Sequence, residues 1–369
     1  MNGNIRVGNL FGIPFYLNPS WFFILGLITL TYGQQLAGFF PQPSILPWVL
    51  GFITAILLFS SVLAHELGHS LVAISQGIEV KSITLFLFGG VASLEKESEK
   101  PWQSLLIAIA GPGVSLLLYG LFTVISLNLA LSPPLQGIVF LLGTINLVLA
   151  LFNMIPGLPL DGGNVLKAIV WQITGNPNKG ILIASRFGQF FGWLGIVIGI
   201  LATLGISPIG SFWTGLIGWF ILTNASNSAT AAKIQGKLSN LTAADAVLKD
   251  SPIVPGNLTL REFANDYVIG QKSWRRFLIT NPEGELIGVV AVEDLKKVST
   301  SDWNEQQLTD ILSPVTSITT VEGDRNLLDV VQLIEQKQLQ EIIVLDKEQK
   351  LLGLIEKPGI ISLLQQAKA

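Results

Sequence analysis

The chain of 369 residues has no cysteine, only two histidines, and few charges: 13% of its residues are Asp, Glu, Lys or Arg. Without cysteine there is no disulfide framework and no thiolate, so any metal site must be built from imidazole and carboxylate. So little charge, with half of the residues hydrophobic and a mean hydropathy of +0.57, excludes an ordinary soluble globular protein. The expected environment is a lipid bilayer. A net charge of −3 argues against a nucleic-acid partner. No cleavable signal peptide is apparent, because the first apolar run opens near Trp21 without a basic region and a small-residue cleavage site. Lys and Arg are sparse up to residue 230 and concentrated in the last third, which implies a membrane part followed by a soluble part.

Both histidines lie in one apolar stretch, Ser60 to Ser70 (SSVLAHELGHS), flanked by the uncharged runs Trp48 to Leu63 and Leu71 to Ile78. His65 and His69 are four apart, so on a helix they project from one face about one turn from each other, and Glu66 lies one step round. This is the H-E-x-x-H arrangement, in which zinc takes two neutral histidines and the neighbouring carboxylate acts as general base on water. Ionisable groups in a membrane helix cost roughly 2.5 to 3.5 kcal/mol each on insertion scales, so three together point to a functional site. The plainer alternative is a pair of core histidines with a snorkelling glutamate.

Six spans are expected: Ser20 to Gln35, Pro47 to Ser75, Trp102 to Leu131, Leu135 to Ile155, Phe187 to Leu204 and Gly210 to Leu222. Gly111-Pro112-Gly113 is expected to interrupt the third, and Pro41 and Pro43 follow the first. Ile5 to Asn18 reads as a short hairpin on the membrane surface, and Glu79 to Glu97 as a second hairpin turning at Gly89-Gly90. A free strand edge there offers pairing to an extended substrate; the alternative is a connecting turn. Basic residues fall on alternate connections, so both termini are expected to be cytoplasmic, with His65 in the cytoplasmic half of the membrane.

A catalytic zinc needs a third protein ligand and an open position for water. Asp161 is the only acidic residue between Lys100 and Asp245, just after Pro156 and Pro159, which unwind the preceding helix. It is the candidate ligand, or the N-cap of an amphipathic helix from Gly162 to Ile173, or both. Residues 224–240 read as a polar linker, placing the membrane domain at 1–223 and a soluble domain at 241–369. The soluble part repeats with a period of about sixty residues over 241–300 and 305–366, with matched centres FLITNPEGELIGVVAVEDL and IIVLDKEQKLLGLIEKPGI, as a duplicated α/β module does.

Five segments of the membrane part resemble the site-2 protease family of intramembrane zinc metalloproteases: Gly12 to Phe22 (GIPFYLNPSWF), Ala64 to Ser70 (AHELGHS), Phe88 to Gly90 (FGG), Ile109 to Ser115 (IAGPGVS) and Ile145 to Gly163 (INLVLALFNMIPGLPLDGG). The resemblance implies a multi-pass helical membrane fold and cleavage of another protein's transmembrane helix in the cell, plastid or thylakoid membrane. It also implies one Zn2+ per chain, held by His65, His69 and Asp161, with Glu66 as catalytic base. Asn153 matches the family, whereas Ser115 stands where the family commonly has Asn; with Gly89 and Gly90 these are the expected substrate-positioning residues. The tail resembles a tandem CBS domain, which implies an adenosine nucleotide at a site including Asp294, or homodimerisation. The first copy has Ala291 and Asp294, and the second Glu356 and Gly359, where the nucleotide signature has Ser or Thr and then Asp. The rival reading is a transporter or metal carrier with a CBS regulator; internal repeats in the membrane part would favour it, and none is seen there.

Overall fold

The computed structural model describes residues 3–40, 43–87, 89–269, 274–313 and 319–366, so Pro41 and Phe88 lie outside the described residues. Two compact units divide the chain between Ala232 and Lys233.

The first unit is helical: α1 (Pro19–Ala37), α2 (Leu46–Ser75), α3 (Pro101–Asn128), α4 (Pro133–Asn153), α5 (Asp161–Thr174), α6 (Pro177–Thr203) and the greater part of α7 (Phe212–Leu238). Proline opens several of these, where its missing N–H costs nothing. Asn18 caps α1 by accepting the Ser20 N–H at 3.0 Å, and Asn176 caps α6 by accepting the Lys179 N–H at 3.2 Å.

Burial is inverted relative to a soluble bundle. Leu117, Leu127 and Phe140 are 74, 79 and 68% exposed, while the buried positions include Ser61, His65, Ser115 and Asn146. Lipid is as apolar as leucine, so helices in a bilayer meet through small and polar groups and turn their large side chains outward. Between α6 and α7 a Cβ on Gly218 would meet Ile196 N at 2.6 Å and Gly192 O at 2.7 Å, so glycine alone permits that approach. Asn146 Nδ2 donates to Ser61 Oγ at 3.0 Å, tying α4 to α2.

Among the described residues four helices, α2, α3, α4 and α6, are long and apolar enough to cross a membrane. The chain is a membrane protein. The other two expected spans are helices too, but Gln34 and Gln35 make α1 polar at its end, and α7 runs on into a polar half. Residues 224–238, expected as linker, therefore belong to α7; the alanines of this stretch favour helix. Three further expectations change. Helix α3 passes through Pro112 without a break, because a membrane helix tolerates one lost bond where its neighbours compensate. Helix α6 starts at Pro177, ten residues before the expected Phe187. Asp161 is the first residue of α5 rather than its cap, which is Leu160.

The two hairpins, β1 (Ile5–Leu10) with β2 (Ile13–Leu17) and β3 (Val80–Phe86) with β4 (Gly89–Leu94), join into one sheet of order β1-β2-β3-β4. Parallel pairing of β2 with β3 aligns Phe15 with Ile83 and Leu17 with Leu85. Gly89 and Gly90 are not the turn: they open β4 and pair with Phe86 and Leu85. The edge of β4 is unpaired among the described residues.

The second unit has the duplicated organisation expected of a tandem CBS domain. One copy contains β5 (Ile253–Pro255), α8 (Leu260–Phe263), β6 (Arg276–Thr280) and β7 (Leu286–Ala291), and the other β8 (Thr320–Glu322), α9 (Leu327–Gln336), β9 (Glu341–Leu345), β10 (Leu351–Glu356) and α10 (Lys357–Gln366). In each sheet the first strand is parallel to the second and the second antiparallel to the third. A shared cluster of Leu278, Val289, Ile343 and Leu354 joins the copies. Each leader crosses to the other copy: the Ala243 N–H donates to Arg325 O at 2.8 Å, and the Leu260 N–H to Gln306 O at 3.0 Å.

Asp294 is engaged within its own copy. Its Oδ1 accepts from Lys297 Nζ at 2.6 Å and its Oδ2 from the Ala291 N–H at 2.9 Å. The Lys297 bond first, and the Ala291 bond with it, hold the carboxyl below the usual aspartate range.

Candidate metal centre

His65 and His69 share one face of α2, and Asp161 reaches them from the start of α5. The segment between α4 and α5 breaks at Pro156 and Pro159, and the first turn of α5 lies hard against it. A Cβ on Gly162 or Gly163 would strike the backbone of Met154, Gly157 or Leu158. This close packing fixes the start of α5, and with it the direction of the Asp161 carboxylate.

Asp161 Oδ2 lies 3.1 Å from His65 Nε2, Asp161 Oδ1 lies 3.3 Å from His69 Nε2, and the two Nε2 atoms are 3.2 Å apart. The tautomers follow from the opposite ring nitrogens. His69 Nδ1 lies 2.6 Å from the Ile107 carbonyl oxygen, which can only accept, so Nδ1 carries the proton and Nε2 presents a lone pair. His65 Nδ1 lies 3.0 Å from the Ser115 hydroxyl, which can accept in the same way. Three lone-pair atoms then converge with no hydrogen among them, and a cation is what such a set fits. These side chains offer ligand atoms all within 4.8 Å of one another. Helix α3 closes one side, since a Cβ on Gly111 would strike both Nε2 atoms.

Glu66 stands outside this donor set. Its side chain lies against Gly90 of β4, where a Cβ would meet Glu66 Cδ at 2.9 Å and Oε1 at 3.1 Å. Glu66 and His65 line two cavities at once. One, of about 510 Å³, is apolar, with Ile24, Phe59, Phe152, Trp213 and Phe220 in its wall. The other, of about 350 Å³, is polar and contains His69, Asp161, Asn164 and Lys167. Gly90 and Asn153 belong to both walls, and Gly89 to the apolar one. Asn153 Nδ2 lies 3.4 Å from His65 Nε2.

Ser115, expected among the substrate-positioning residues, is fully buried and lines neither of these two cavities; its hydroxyl lies against His65 Nδ1. Nothing local signals this pairing, which spans fifty positions of sequence. Ser115→Ala is expected to lower zinc affinity about 10- to 100-fold, as loss of an outer-shell partner does, with the fold intact; competition against a chelating dye measures it. Gly90→Ala is expected to keep the metal and displace Glu66. Cleavage should fall about a hundredfold, the effect of a misplacement near 1 Å, while zinc content stays unchanged.

The description "Peptidase family M50" belongs to the family whose model matches residues 53–139 and 130–195. The chain is similar to "Putative zinc metalloprotease sll0528" of Synechocystis sp., 59% identical over 369 residues, covering 100% of this chain and 97% of that one. It is also similar to "Putative zinc metalloprotease Rip3" of Mycobacterium tuberculosis, 32% identical over 324 residues, 87% of this chain and 82% of the other. Among solved structures it resembles a site-2 protease from Methanocaldococcus jannaschii, with 30% identity, 61% of this chain and 95% of that chain covered, and a TM-score of 0.45. Similarity that runs the length of the chain makes a chance motif untenable, and the chain belongs to the site-2 protease family of zinc metalloproteases, peptidase family M50.

Proposed function

We propose that His65, His69 and Asp161 hold one zinc ion and that Glu66 is the general base for hydrolysis of peptide bonds inside transmembrane helices of other proteins. The observation that carries this is the meeting of two imidazole lone pairs with one carboxylate beside an unligated glutamate. When bound, zinc would supply Lewis acidity, polarising a carbonyl and bringing the pKa of water down to near neutrality. Glu66 takes a proton from water and delivers it to the leaving amine. Asn153 orients the reacting carbonyl from its place in both cavity walls. A helical substrate hides its peptide bonds, so it must unwind; the open edge of β4, starting at Gly89 and Gly90, suits an extended segment. Apolar substrate then comes through one cavity and water through the other.

Alternating basic connections support a multi-pass topology with both termini cytoplasmic. The CBS pair regulates the protease by binding an adenosine nucleotide or by pairing two chains. Asp294 would have to leave Lys297 and the Ala291 amide to take a nucleotide, which favours the dimer. The test is the purified full chain in liposomes with a single-span reporter, its fragments sized by mass spectrometry. A cut within the apolar span, lost with chelator and restored by zinc, is expected; transport of metal without any cut would favour the carrier reading.

A further inference from the structure

Hydrolysis of a peptide bond breaks the C–N bond, adds hydroxyl from water to the carbonyl carbon and a proton to the amine. At neutral pH the new acid ionises, so a negative charge appears in a pocket that held a neutral amide. We propose that Lys167 is the receptor for this charge, binding the new C-terminal carboxylate of the N-terminal product fragment in the polar cavity, with Glu97 as its placeholder. The inference rests on the protease reading above.

Among the described residues lining either cavity, Lys167 is the only lysine or arginine. It follows Asp161 and Asn164 on α5, and all three border the polar cavity. Lys167 and Asn164 are three apart and so share a face of α5, and six residues of helix place Lys167 about 9 Å along the axis from Asp161. Its ammonium pairs with Glu97 at 3.4 Å, but unequally: the lysine side chain is 15% exposed and the glutamate 75%. A cation held inside a cavity by an anion that stands in solvent is in place, while its partner is exchangeable, because exposed pairs of this length are weak. Glu97 belongs to the run EKESEK at residues 95–100, the densest charge run of the membrane unit.

The experiment uses the full-length, zinc-loaded chain in detergent micelles with Glu66→Gln, so that ligands bind without being cut. A fluorescein-labelled apolar pentapeptide is offered with a free C-terminal carboxylate or as its C-terminal amide, and binding is read by anisotropy. The acid form is expected to bind about tenfold more tightly than the amide. Lys167→Met should bring the acid to the level of the amide without altering the amide, Lys167→Arg should keep the preference, and Glu97→Gln should tighten the acid alone. One zinc per chain identifies folded variants. A preference that survives Lys167→Met, or equal shifts of both peptides in the Met and Gln variants, would overturn the assignment. Failure of the protease reading shows separately, as a wild-type chain that cuts no membrane reporter.

Discussion

Replacing Glu66 by Gln is expected to leave one zinc ion per chain and to lower reporter cleavage by a factor of about 10² to 10⁴, the contribution of a positioned general base. The two readouts divide because the side chains divide. Glu66 lies against Gly90 and outside the donor set, whereas His65, His69 and Asp161 offer the convergent atoms. Glutamine keeps the shape that rests on β4 and loses only the capacity to take a proton. Zinc content by elemental analysis and fragment yield from the same preparation check both. A Gln variant that still cuts at the wild-type rate would remove Glu66 from the chemistry.

Asp161→Ala has the opposite profile, with zinc affinity falling by more than the roughly 100-fold ceiling typical of outer-shell changes, and cleavage lost with it. Asp161 also places a negative charge in the first turn of α5, where it favours the helix by about 0.3 to 1 kcal/mol. That smaller effect would lower stability slightly and could not empty the site. On the proposed coordination the larger effect is the loss of the carboxylate, which leaves two uncharged imidazoles to hold a dication with one protein ligand missing. Calorimetric zinc titration of the Ala variant measures the loss, and the melting temperature separates it from unfolding.

The parts of this molecule that could be read from sequence are those whose cause is local. Four-residue spacing puts His65 and His69 on one helical face, prolines break the chain before Asp161, and uncharged runs mark α2, α3, α4 and α6. The donor geometry follows once those pieces meet. What could not be read depends on distant partners. The parallel pairing of β2 with β3 joins segments nearly seventy residues apart and has no signature in either strand. The glycine-proline motif that Ser115 ends implies a place near substrate, whereas its contact with His65 depends on the packing of α3 on α2. The crossed leaders of the tail are invisible for the same reason: Ala243 and Gln306 read as parts of the leaders of their own copies until their hydrogen bonds to Arg325 and Leu260 are seen. At residues 224–238 asparagine and serine read as a linker, whereas the helix of α7 continues through them.

The central claim is one zinc ion held by two imidazoles of α2 and a carboxylate of α5. Zinc K-edge X-ray absorption on the full chain tests it most directly. The account predicts nitrogen and oxygen neighbours at about 2.0 to 2.2 Å with imidazole scattering from two rings, and loss of the bound-zinc spectrum in Asp161→Ala. An unchanged spectrum in that variant, with zinc still bound at full occupancy, would contradict it.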